Sequence, residues 1–128
     1  MPHLKIEYTA NLEAQGRFDV LCKALAGVMA HLADADGKPV FPLAGTRVLA
    51  YPAPAYAVAD GTSGHGFIYM NLRVTPGRTA QTLAAAGAAL LAQVRSHFEL
   101  HTLCVAFAVT LHIDELTPAF EGRYRSQQ

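Results

Sequence analysis

Leu103-Cys104-Val105-Ala106-Phe107-Ala108-Val109-Thr110-Leu111-His112-Ile113 is the stretch on which the fold turns. Its odd positions are large and apolar, and its even positions are small or polar. A period of two marks a strand with one face buried and the other not. Upstream, Leu83, Gly87, Leu90, Leu91, Val94 and Phe98 recur at helical spacing. Residues 80–99 are therefore predicted to form an amphipathic helix, with Thr79 as its cap. Thr75-Pro76-Gly77 reads as a turn, and residues 67–74 as the strand before it.

The first half of the chain repeats this order. His3, Lys5 and Glu7 alternate with Leu4, Ile6 and Tyr8, which predicts a strand over residues 2–9. Asn11 is placed to cap a helix over 12–33, whose apolar face is Phe18, Leu21, Cys22, Leu25, Val28, Met29 and Leu32. Asp34-Ala35-Asp36-Gly37 followed by Pro39 ends that helix. A second strand is expected over 46–51, then a Pro-, Ala-, Gly- and Ser-rich loop or irregular hairpin over 52–66. The chain thus reads as β-α-β twice within a single domain, 1–128, with halves of about 1–51 and 66–116. Each half can close a right-handed parallel crossover. The predicted fold is α+β, a four-stranded mixed sheet with two helices on one face. The opposite face is small, polar and partly apolar, which points to burial by another subunit.

Composition narrows the function. The 128 residues are 52% hydrophobic and 16% charged, with a formal net charge of zero. That profile belongs to a packed domain and not to a disordered chain. With its basic residues scattered, the chain lacks the charge that a nucleic-acid binder uses to neutralise phosphates. Cys22 and Cys104 lie inside apolar segments and read as small buried thiols in a reducing compartment. The six histidines show no metal-ligand spacing, so no metal is expected. The longest apolar run, 83–94, is too short to span a membrane and is interrupted by Gly87 and Gln93. The amino terminus lacks a basic region followed by an apolar one, so a cytoplasmic location and no membrane partner are expected.

Three residues stand out chemically. Removal of Met1 would leave Pro2 as a free secondary amine at the start of a strand, able to act as a general base once apolar surroundings or nearby cations hold it neutral. By itself Pro2 is an ordinary second residue. Arg47 and Arg78 change its context, because each follows a Pro/Gly-containing loop at the end of an element, where side chains gather into clefts. A guanidinium grips a carboxylate through two parallel hydrogen bonds, which lysine cannot copy. Arg17, Arg73, Arg95 and the arginines of the tail read as solvated surface residues. His3 alternates away from Pro2 and reads as structural. His65 and Tyr69 fit loop and strand positions, with a pocket role open to them. Phe41, Phe67 and Phe107 read as core or interface residues.

Pro2-His3-Leu4-Lys5-Ile6-Glu7-Tyr8, Asn11 and Phe41-Pro42-Leu43-Ala44-Gly45-Thr46-Arg47 resemble the 5-carboxymethyl-2-hydroxymuconate isomerases of the tautomerase superfamily. So do Ala59-Asp60-Gly61, Phe67-Ile68-Tyr69-Met70 with Leu72, Pro76-Gly77-Arg78-Thr79, and Asp114-Glu115-Leu116 before Pro118, all in the same order. Thr117 departs from the pattern, standing where relatives often carry histidine, and residues 35–39 and 52–56 also differ. The resemblance implies a tautomerase-like homotrimer with active sites near subunit boundaries. It implies an isomerase of aromatic-compound catabolism, a keto–enol tautomerase or double-bond isomerase that needs no cofactor. On the same basis Pro2 is the catalytic base, and Arg47 and Arg78 bind a small-molecule carboxylate substrate. Two other readings use the same residues. In one, a protonated Pro2 serves as the acid of a dehalogenase, hydratase or decarboxylase. In the other, the strand-helix-strand repeat is a ferredoxin-like binding module in which Pro2 does nothing.

Overall fold

Leu4, Ile6 and Tyr8 project from one side of strand β1 (His3–Thr9) and are at most 4% exposed. That buried row sets which face β1 turns toward the helices. The computed structural model describes residues 2–62 and 64–126; Met1, on whose removal the reading of Pro2 depends, lies outside them. After β1 come the short helix α1 (Glu13–Gly16), helix α2 (Phe18–His31) and strand β2 (Arg47–Ala53). The second half supplies β3 (His65–Val74), α3 (Ala80–Leu100) and β4 (Ala106–Glu115).

The strands pair in the order β2-β1-β3-β4. β1 runs parallel to β2 and β3 parallel to β4, while β1 and β3 meet antiparallel. Each parallel pair spans a crossover that carries a helix, as parallel pairing requires. The sheet is thus mixed, with β1 and β3 at its centre. Ile68, Met70, Leu72 and Val74 of β3 join the β1 row beneath Leu21, Leu25 and Met29 of α2 and Leu90 and Val94 of α3. Gly87 lets α3 come close to β4, since a Cβ there would sit 3.3 Å from Ile113 Cδ1. On the opposite face of the sheet Leu49, Tyr51 and Phe67 are exposed.

The predicted helix over 12–33 is broken. Arg17 adopts φ 47° and ψ 53°, in the left-handed region, and separates α1 from α2. Gly16 is needed beside it, because a Cβ at that position would lie 2.3 Å from the Phe18 ring. Asn11 caps neither helix; it lies in a 3-10 turn (Ala10–Leu12), and its Nδ2 donates to the His65 carbonyl at 2.9 Å. The helix end is as expected: Asp34 Oδ1 accepts from the Asp36 and Lys38 backbone N–H groups, 2.9 Å each. Thr79 caps α3 as expected, its hydroxyl accepting from Thr82 N–H at 3.1 Å. The last strand starts at Ala106, not at Leu103, because its partner β3 begins only at His65. Residues 52–66 close no hairpin, since β1 lies between β2 and β3. Among the described residues, no helix is long and apolar enough to cross a membrane.

His97 ties the broken helix to α3. It is 3% exposed, and its Nε2 lies 2.7 Å from the Gly16 carbonyl. A carbonyl only accepts, so this nitrogen must carry the hydrogen. Burial holds the His97 pKa below its ordinary value; the nearby His101 and Arg17 add to that, while the Gly16 bond and Asp19 oppose it. A lowered folded-state pKa means that this contribution is complete above the unfolded value of about 6.5 and is lost as pH falls through the folded one. Denaturant midpoints measured from pH 7.5 down to pH 5 are expected to fall, and His97→Gln to remove part of that fall. An identical pH dependence in the two chains would contradict the role.

Candidate active site

The antiparallel centre and its parallel flanks bring four strand ends to one edge of the sheet. β1 and β2 begin there, with His3 opposite Arg47. β3 and β4 end there, with Arg73 opposite both His3 and Asp114. A cleft of about 710 Å³ opens at this edge, and Pro2, Arg47 and Arg78 all line it. That volume falls within the range of sites for small organic molecules.

Each of these residues is held by local structure. Pro2 is buried, and its carbonyl accepts from the Arg47 backbone N–H at 3.2 Å, so the first residue of β2 is stitched to the residue before β1. The loop ahead of β2 folds into a 3-10 turn (Leu43–Gly45), closed by a Thr46 hydroxyl that donates to the Pro42 carbonyl at 2.8 Å. Arg47 is exposed, with one guanidinium N–H donated to the Ala44 carbonyl at 3.3 Å. Arg78 follows Gly77, whose φ of 133° a residue with a side chain rarely adopts. Its Nε donates to the Val40 carbonyl at 2.8 Å and an Nη to the Thr75 carbonyl at 3.2 Å. The guanidinium carbon stands 5.0 Å above the centre of the buried Phe41 ring. Arg78 is thus pre-oriented, with N–H groups left over for a ligand.

The remaining candidates separate cleanly. His3 faces a neighbouring cleft of about 380 Å³ with Arg73 and Glu121, as strand alternation requires. His65 borders a third cavity, under the loop that precedes β3. Tyr69 lies on the open face of the sheet, its hydroxyl 2.9 Å from His112 Nδ1. Phe41 is a core residue beneath Arg78, Phe67 is exposed on the open face, and Phe107 stacks edge-on against Phe98 at 5.0 Å.

The tail adds to the Pro2 cleft. Arg123 and Arg125 are exposed, as expected, yet with Gly122 and Tyr124 they form part of the wall of the Pro2 cleft. Nothing periodic in the sequence marks them. Their placement follows from β4 ending at the edge where β1 begins. The cleft lining therefore carries four arginines and, among the described residues, no carboxylate.

Two β-α-β units sharing one mixed sheet, with Pro2 at a cationic cleft on its edge, define a fold class shared by a fused 4-OT symmetric trimer, which superposes with a TM-score of 0.62 at 17% identity over 91% of this chain and 88% of that one. Within it, the profile of the 5-carboxymethyl-2-hydroxymuconate isomerase family matches residues 2–126, and the chain belongs to that family of isomerases. A crystal structure of 5-carboxymethyl-2-hydroxymuconate delta-isomerase superposes with a TM-score of 0.90 at 36% identity, over 98% of this chain and 89% of that one. A second, a 5-carboxymethyl-2-hydroxymuconate isomerase from Deinococcus radiodurans R1, gives a TM-score of 0.80 at 31% identity, over 98% of this chain and 90% of that one. The 5-carboxymethyl-2-hydroxymuconate Delta-isomerase of Escherichia coli is 27% identical over 118 residues, 92% of this chain and 89% of the relative.

Proposed function

We propose that the chain, once freed of Met1, is a cofactor-independent tautomerase in which the Pro2 nitrogen is the general base. The substrate is an unsaturated, carboxylate-bearing small molecule of the 5-carboxymethyl-2-hydroxymuconate kind. The observation that carries this reading is that Pro2, Arg47 and Arg78, far apart in sequence, line one cleft.

The neutral nitrogen takes the proton of the substrate's enol hydroxyl. The O–H electron pair becomes the carbonyl π bond, the conjugated double bonds shift, and the prolinium returns its proton to a carbon further along. Atoms and charge balance with no second reactant. Arg47 and Arg78 hold the carboxylate ends and offset the negative charge that builds on the dienolate oxygen. Their positive charge also disfavours the ammonium form of the amine, keeping it neutral and ready to accept. Positioned proton transfer of this sort contributes about 10²–10⁴-fold in rate.

The reading extends to assembly. A homotrimer would bury the open face of the sheet, where Tyr51 is 48% exposed and Leu49 and Phe67 are 36% exposed. Work in aromatic-compound catabolism in the cytoplasm belongs to the same proposal. The test of the base is a pH–rate profile on an enol substrate. kcat/KM is expected to rise with pH as the amine loses its proton and then to level off. A rate that falls over that limb would mean that the protonated amine is the active form, the signature of a proline acid.

A further inference from the structure

We propose that Arg123 and Arg125, carried by the tail that follows β4, are further specificity-determining residues of this site, holding a substrate carboxylate that Arg47 and Arg78 do not. This inference rests on the reading of Pro2, Arg47 and Arg78 above and deepens it. The tail is pinned at its root, where the Leu116 N–H donates to the Val74 carbonyl at 2.9 Å, next to Thr75 in the cleft wall. From there it passes along the same edge and lays Gly122 through Arg125 against the cleft that holds Pro2.

Charge gives the tail its function. Its two guanidiniums join those of Arg47 and Arg78 around one opening whose lining offers no acid among the described residues. Glu121 lines the neighbouring cleft and reaches Arg123 with a single contact of 3.4 Å. Both side chains of that pair are about half exposed, 49% and 50%, so the contact is worth little and yields readily to a ligand. Arg125 makes no hydrogen bond among the described residues. A monocarboxylate held by Arg47 and Arg78 leaves the tail cations facing their like. A second or third carboxylate pairs with them and relieves that repulsion. Arginine suits this task because its fork matches a carboxylate in two bonds.

The test is calorimetric binding of propane-1,2,3-tricarboxylate and of butyrate to the full chain and to the double variant Arg123→Gln, Arg125→Gln. Glutamine keeps the polarity and much of the length, and both positions are exposed, so the melting curve serves as the check on folding. The natural chain is expected to bind the tricarboxylate at least about tenfold more tightly than the variant does. Its affinity is expected to fall more steeply with added salt, and the two chains to bind butyrate within about twofold of each other. Equal tricarboxylate affinity in both chains, an equal loss for butyrate, or no binding by the natural chain would each overturn the proposal. Binding needs no turnover. Failure here therefore leaves the proline chemistry standing, and full turnover by Pro2→Ala would sink that chemistry without touching the binding difference.

Discussion

Pro2→Ala is expected to turn over an enol substrate about 10²–10⁴-fold more slowly than the natural chain, the range for loss of a positioned general base. The loss falls in kcat more than in KM, because Arg47 and Arg78, which we propose bind the carboxylates, still line the cleft. Alanine also leaves a free amine once Met1 is gone. That amine is primary and less basic, and it is no longer fixed by a ring at the start of β1. Small residual turnover is thus compatible with the mechanism. Pro2 is buried, so a modest drop in stability of about 1 kcal/mol accompanies the change and is measured separately by thermal denaturation. Steady-state kinetics on an enol substrate read the effect. Turnover within about twofold of the natural chain would mean that the nitrogen is not the base.

Arg78→Ala carries the second large effect, a fall of about 10²-fold or more in kcat/KM, the scale of losing one preorganised donor to a developing oxyanion. Its guanidinium is fixed before any ligand arrives, by the Val40 and Thr75 carbonyls and by the Phe41 ring. That fixing is what lysine cannot reproduce. An ammonium at the same position can satisfy at most part of this cradle while presenting a point charge to the carboxylate. Arg78→Lys is therefore expected to fall within a few-fold of Arg78→Ala and not near the natural chain. Arg78→Ala also leaves the Val40 carbonyl short of its partner, which costs on the order of 1–3 kcal/mol if water cannot replace the bond. Kinetics and denaturation measured on the same samples separate the two effects. A lysine variant with natural kcat/KM would show that charge alone suffices at this position.

The strands and their duplication were legible because alternation records burial directly. Leu4, Ile6 and Tyr8 in β1, and Phe107, Val109, Leu111 and Ile113 in β4, all face the helix side of the sheet. The two arginines were legible as element ends, and the sheet order brought those ends together. The break at Gly16-Arg17 was not. Apolar spacing is unbroken only from Phe18 to Leu32, and the break ahead of it is shaped locally by the Phe18 ring against Gly16 and, from across the molecule, by His97 reaching over from α3. Residues 103–105 alternate like the strand that follows them. Gln15 of α1 holds them instead, accepting from the Cys104 N–H at 3.1 Å and donating to its sulfur at 3.3 Å. That Arg123 and Arg125 line the same cleft was not legible. An exposed tail leaves no periodic trace, and its destination is set by where β4 ends.

All of the proposed chemistry depends on one atom, the Pro2 nitrogen, which is a base only when Met1 is absent. The most direct test measures intact mass and turnover on the same preparations, with the Met1-free fraction varied. Turnover is expected to rise in proportion to that fraction and to vanish as it approaches zero. Full turnover from chains that all retain Met1 would contradict a base at Pro2.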